Sequence, residues 1–78
     1  MGVRAFVLIQ TEVGKSAQVT TEVAAIEGVV ASENVMGPYD VIVRAEADTE
    51  DAMGKLVVGR IQLIDGITRT LTCPVVNL

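Results

Sequence analysis

Apolar and polar positions along the chain follow two periods, and their switches divide it into six elements. Val3 to Thr11 is rich in Val, Ile, Leu and Phe and predicts a strand, with Gly14 and Lys15 marking its end. Val3, Ala5, Val7 and Ile9 fall on one side and Phe6 and Leu8 on the other, so both faces are apolar and the strand is expected to be central and covered twice. Ser16 to Glu27 then places Val19, Val23 and Ile26 on a helical stripe, and Gly28 is expected as its left-handed C-cap.

Val29 to Met36 is a poorer strand, interrupted by Ser32, Glu33 and Asn34, which suits a sheet edge. Gly37 and Pro38 turn the chain, and Asp40 to Ala47 completes a hairpin, with Val41, Val43 and Ala45 on one face and Ile42, Arg44 and Glu46 on the other. Asp48 or Thr49 is placed to cap a second helix whose first turn holds Glu50 and Asp51. Its predicted buried stripe is Met53, Leu56, Val57, Ile61 and Ile64, and Gly66 ends it. Gly54 and Gly59 inside that helix each cost up to about 1 kcal/mol relative to Ala, so either something packs closely there or the helix is locally weak. The last strand, Ile67 to Val76, alternates Thr68, Thr70 and Thr72 with Ile67, Arg69, Leu71 and Cys73.

Ile26-Glu27-Gly28-Val29 recurs as Ile64-Asp65-Gly66-Ile67, each marking a helix end and a strand start. The order is therefore βαβ twice, which predicts an α+β, ferredoxin-like βαββαβ sandwich: a four-stranded antiparallel sheet with both helices on one face. The other face would carry Phe6, Leu8 and Ile42 in the open, and the economical cover for such a patch is a second copy packed sheet to sheet.

Residues 1–78 make one small domain, half of it hydrophobic. A domain this short buries roughly 60% of its unfolded surface, which also favours self-association. Net charge is −4, and the six cations, at Arg4, Lys15, Arg44, Lys55, Arg60 and Arg69, never cluster, so direct nucleic-acid binding is not expected. With one cysteine, Cys73, and no histidine, neither an intramolecular disulfide nor a transition-metal site is expected, and no cofactor is implied. No apolar run approaches the roughly 20 residues of a membrane span and no signal sequence opens the chain, which predicts a cytoplasmic protein.

Candidate chemistry is sparse. Cys73 lacks an evident base and is expected as a small core or near-core residue; Asp48, Glu50 and Asp51 look like helix-cap and solvated residues. The glycines form no phosphate-cradling loop, and the first loop, Glu12-Val13-Gly14-Lys15, lacks the Cys-x-x-Cys of metal-trafficking proteins with this fold. The hairpin turn Val35-Met36-Gly37-Pro38-Tyr39-Asp40 concentrates the only Tyr, a rigid turn and a carboxylate. Gly, Pro and Asp serve tight turns for backbone reasons alone. The same residues also suit a zwitterion: Asp40 for an ammonium, backbone N–H groups near Gly37 for a carboxylate, Tyr39 for a side chain.

Val35-x-Gly37-x-Tyr39-Asp40 before an apolar strand, the acidic helix start Asp48-Thr49-Glu50-Asp51 and Gly66-Ile67-x-Arg69-Thr70-x-Thr72 together resemble the effector-binding RAM domain of the Lrp/AsnC transcription regulators, over nearly the whole chain. The resemblance implies a homodimer, higher rings of dimers and an amino-acid effector bound between dimers, with Gly37, Tyr39, Asp40, Thr70 and Thr72 contributing to the pocket. Family regulators carry a helix-turn-helix domain before this one, whereas here the first strand follows Met1 at once. The expectation is a stand-alone RAM protein that modulates full-length Lrp/AsnC regulators by joining their assemblies. Two alternatives stay open: a small dimeric α+β barrel enzyme, though such enzymes usually show His, Asn or Trp inside the barrel, and a structural assembly subunit without a ligand.

Overall fold

A computed structural model describes residues 2–78. The elements are β1 (Val3–Thr11), α1 (Ser16–Ala24), β2 (Val29–Asn34), β3 (Val41–Ala47), α2 (Glu50–Gly59), a 3₁₀ turn (Ile61–Leu63) and β4 (Ile67–Pro74). The strands form one four-stranded sheet in the order β2-β3-β1-β4, every neighbour antiparallel. This is the βαββαβ ferredoxin-like arrangement, with β1 central and β2 at an edge as the apolar pattern predicts.

Period-2 alternation places Ala5, Val7 and Ile9 of β1 beside Val41, Val43 and Ala45 of β3, all fully buried. Val19 and Val23 of α1, Met53, Leu56 and Val57 of α2, and Ile61 of the 3₁₀ turn close over them. Each Val, Leu, Ile or Met side chain so removed from water stabilises the fold by roughly 1.5–3 kcal/mol before entropy is counted.

The second face of β1 is not covered in the single chain. Phe6 is 42% exposed and Leu71 is 45% exposed; cross-strand pairing places Leu8 opposite both Ile42 and Leu71, and Phe6 opposite Cys73. Cys73 is thus exposed on the open face and not in the core as expected, because Thr70 and Thr72 take the helix-facing positions of β4.

The helices end earlier than their apolar stripes do. α1 stops at Ala24, and the following N–H groups of Ala25 and Ile26 bond three residues back, to Glu22 and Val23, which tightens the chain before Gly28. Gly28 therefore turns the chain into β2 and is not the helix cap itself. α2 is capped by Thr49, whose hydroxyl accepts from the Ala52 N–H at 3.0 Å. It ends at Gly59, and the 3₁₀ turn carries Ile61 into the core. A Cβ at Gly54 or Gly59 would meet nothing within 4 Å, so no packing inside the chain requires either glycine.

The repeated Ile-acidic-Gly-apolar tetrads adopt the same conformation. Gly28 and Gly66 have φ of +100° and +97°. Their carbonyls accept from the Glu46 and Glu12 N–H groups, each at 2.8 Å, and so bond the turn to the neighbouring chain segment. A side chain at Gly66 would also crowd Lys15 Cβ at 3.1 Å.

Candidate functional site

The hairpin turn is bonded to the end of β1. Asp40 N donates to Ile9 O at 2.9 Å, Gln10 Nε2 donates to Pro38 O at 2.9 Å, and Thr11 N donates to Asp40 Oδ2 at 2.8 Å. Val35 N donates to Asp40 O at 2.9 Å and closes the turn on itself. The Thr11 bond falls where the β1–β4 register shifts between Gln10 and Thr11, so the carboxylate satisfies an N–H next to an irregular point of the ladder. Met36, Gly37 and Pro38 project into solvent, while Tyr39 and Asp40 are half-buried behind them. Gly37 has φ +128°, which accounts for glycine at the tip.

Thr70 and Thr72 lie across β1 from that turn. Ile9 pairs with Val41 on one side and Thr70 on the other, and Val7 pairs with Thr72. Two strand spacings, about 10 Å, separate β3 from β4. Of the sequence-predicted site residues, the structure thus brings Tyr39 and Asp40 together at one side of β1 and the two threonines together at the other, Thr70 level with Ile9 near the end of β1 that carries the turn and Thr72 level with Val7 at its middle.

Two adjoining grooves run along the threonine side. One, of about 330 Å³, lies between α2 and β4 and is lined by Val3, Glu50, Met53, Gly54, Val57, Val58, Gln62, Thr72 and Pro74. The other, of about 320 Å³, is polar and lined by Gln62, Ile67, Thr68, Arg69 and Thr70. Gln62 borders both, and its Nε2 donates to Thr70 Oγ1 at 2.8 Å. Sequence reasoning did not single out Gln62; it occupies a polar position on the expected helix, and only the break at Gly59 turns it towards β4.

Among the described residues, no cluster of three or more His, Cys, Asp or Glu side chains is arranged to hold a metal ion. Among them, too, no helix is long and apolar enough to cross a membrane. The exposed i,i+4 pair of Asp51 with Lys55, at 3.2 Å, is a surface contact worth a few tenths of a kcal/mol.

Comparison with known proteins gives this arrangement a context. A helix-turn-helix-type transcriptional regulator of Pyrococcus furiosus is 29% identical over 75 residues, which cover 92% of this chain and 50% of that protein. The chain thus spans half the length of that curated relative. The crystal structure of FFRP-DM1 superposes with a TM-score of 0.90 at 31% identity, covering 95% of this chain and 99% of that one. A transcriptional regulator of Neisseria meningitidis, solved as an L-Met complex, shares the fold with a TM-score of 0.83 at 17% identity, over 96% of this chain and 50% of its own. The family model for the Lrp/AsnC ligand-binding domain matches residues 4–77, and the chain belongs to that family.

Proposed function

We propose that this chain is a regulatory binding module, not an enzyme, which assembles as a dimer and higher ring and takes an amino acid or closely similar metabolite as its effector. The observation that carries the reading is the match of a ligand-binding domain to residues 4–77. The L-Met complex of the Neisseria regulator, which has the same fold, supports an amino-acid effector. The placement of the candidate residues supports a site shared between copies. In one chain Gly37, Tyr39 and Asp40 are held apart from Thr70 and Thr72 by β1, so a ligand touching both sets is best served by the turn of one copy facing the β4 threonines of another.

In this reading Asp40 meets the ligand ammonium, with Oδ2 already fixed by the Thr11 N–H, and Thr70 or Thr72 meets the carboxylate. The module acts in the cytoplasm on transcription, through full-length Lrp/AsnC regulators whose assemblies it joins. The structural alternative has its own support, since the Asp40 bond to Thr11 gives the carboxylate a purpose without any ligand.

Thermal denaturation in the presence of each of the twenty amino acids tests the proposal, because a ligand bound only by the folded form must raise the melting temperature. At least one amino acid at millimolar concentration is expected to do so. No shift with any of them would favour the assembly subunit.

A further inference from the structure

The outer surface of the helix layer carries a groove that neither the core nor the candidate effector residues use. It has a volume of about 600 Å³ and runs between the end of α1 and the segment that joins α2 to β4. Ala25, Ile26, Leu63 and Ile64 supply its apolar walls, and Gly59 leaves bare backbone beside them. Leu63 is 76% exposed although Ile61 is fully buried, because the 3₁₀ turn that carries Ile61 into the core leaves Leu63 outside it. A solitary exposed leucine needs no explanation. One that adjoins two half-buried isoleucines in a groove rimmed by charge has the form of a contact surface.

The rim consists of Arg60, Glu22 and Asp65, all exposed. Among the described residues none of the three is in an ion pair, even though they border the same groove. Gln18 Nε2 donates to one Glu22 oxygen at 3.1 Å and leaves the other open. Each chain thus presents one cation and two carboxylates around an apolar centre, a surface complementary to itself when turned about a two-fold axis. A Cβ at Gly59 would meet nothing within 4 Å, so the backbone there leaves room for a side chain from outside. The patch falls short of the roughly 20–30 residues a side of a stand-alone interface. It suits copies already paired through their sheets, where closing a ring lets several such patches act together.

We infer that this groove is the contact through which the chain pairs with a second copy on its helix side: Leu63 of each copy seats beside Gly59 of the other, and Arg60 of each meets the other's Glu22 and Asp65. The inference rests on the dimer-and-ring reading above and gives the ring its second contact. The open sheet face and the helix layer lie on opposite sides of the chain, so the two contacts do not compete. Two such self-complementary contacts build assemblies with an even number of chains, four at the least.

Sedimentation velocity of the full chain and three variants tests this, with circular dichroism to check folding. The wild type is expected above the dimer mass. Leu63→Asp and Arg60→Glu alter exposed side chains, so both should fold and should sediment as dimers, a loss of twofold or more in mass. Adding Glu22→Lys and Asp65→Lys to Arg60→Glu reverses every rim charge and should restore the wild-type mass. A triple variant that stays dimeric would overturn the charge pairing. If the wild type exceeds a dimer and both single variants keep its mass, the ring stands and the inference fails, its second contact lying elsewhere. A wild type that is dimeric at every concentration would overturn the inference and the ring together and leave the sheet-to-sheet dimer.

Discussion

Asp40 fastens the hairpin turn to the end of β1, and the same carboxylate is the one proposed to meet the effector. Its Oδ2 accepts the Thr11 N–H at the register shift of β1, so removing the carboxylate leaves a partly buried donor without its partner. Asp40→Ala should lower stability by about 1–2 kcal/mol, read as a lower urea midpoint at unchanged slope. Asp40→Asn retains an oxygen able to accept and should cost less; a ranking in which the two variants are equal to wild type would remove the structural role. The same Asn variant should weaken a true amino-acid ligand by roughly ten- to a hundredfold, because the charge facing the ammonium is gone. The turn itself was legible in the sequence, since Gly, Pro and Asp in that order have few other uses. Its bond to Thr11 was not, because the acceptor and donor lie 29 residues apart. Gln62 was equally hidden, its direction being set by a helix break that a hydrophobic stripe does not register.

The elements followed from periodicity wherever one face alone is buried. β1, β2 and β3 begin and end within about two residues of their apolar patterns, and the repeated tetrads locate both turns into strands. α2 differs from expectation because Met53, Leu56, Val57, Ile61 and Ile64 satisfy a continuous helix and a helix followed by a 3₁₀ turn alike. The choice is made locally, where Gly59 gives little support to another turn. Glycines in this chain therefore have opposite meanings, and substitution separates them. Gly66→Ala places a Cβ at φ +97° and 3.1 Å from Lys15 Cβ, so it should destabilise the fold by about 1–3 kcal/mol. Gly54→Ala has ordinary helical backbone and open space, so it should stabilise by about 0.5–1 kcal/mol. Chemical denaturation of the two variants reads both signs, and a destabilised Gly54→Ala would mean that the helix needs that glycine for its own packing.

The whole molecule has one finished face and one unfinished face. The helix-covered side of the sheet holds the core, while Phe6, Leu8, Ile42, Leu71 and Cys73 share the open side, with Arg4 opposite Glu46 and Arg44 opposite Phe6 around them. That division was readable from Phe6, Leu8 and Ile42 once the strand order was inferred; the place of Cys73 depended on the register of β4, which alternation alone left undecided. An apolar centre with mixed charges at its margin suits a self-complementary pairing about a two-fold axis. Leu8→Asp would place a charge in that interface at a cost of several kcal/mol, so analytical ultracentrifugation should find it at lower mass than the wild type or the variant should fail to fold. A variant with wild-type mass and melting temperature would exclude the sheet-to-sheet dimer. Whether the proposed assembly binds an amino acid is decided by isothermal titration of the wild-type protein with whichever amino acid raises its melting temperature most. Saturable binding with no more than one ligand per chain is the predicted result; the absence of saturable heat for every amino acid at millimolar concentration would contradict it.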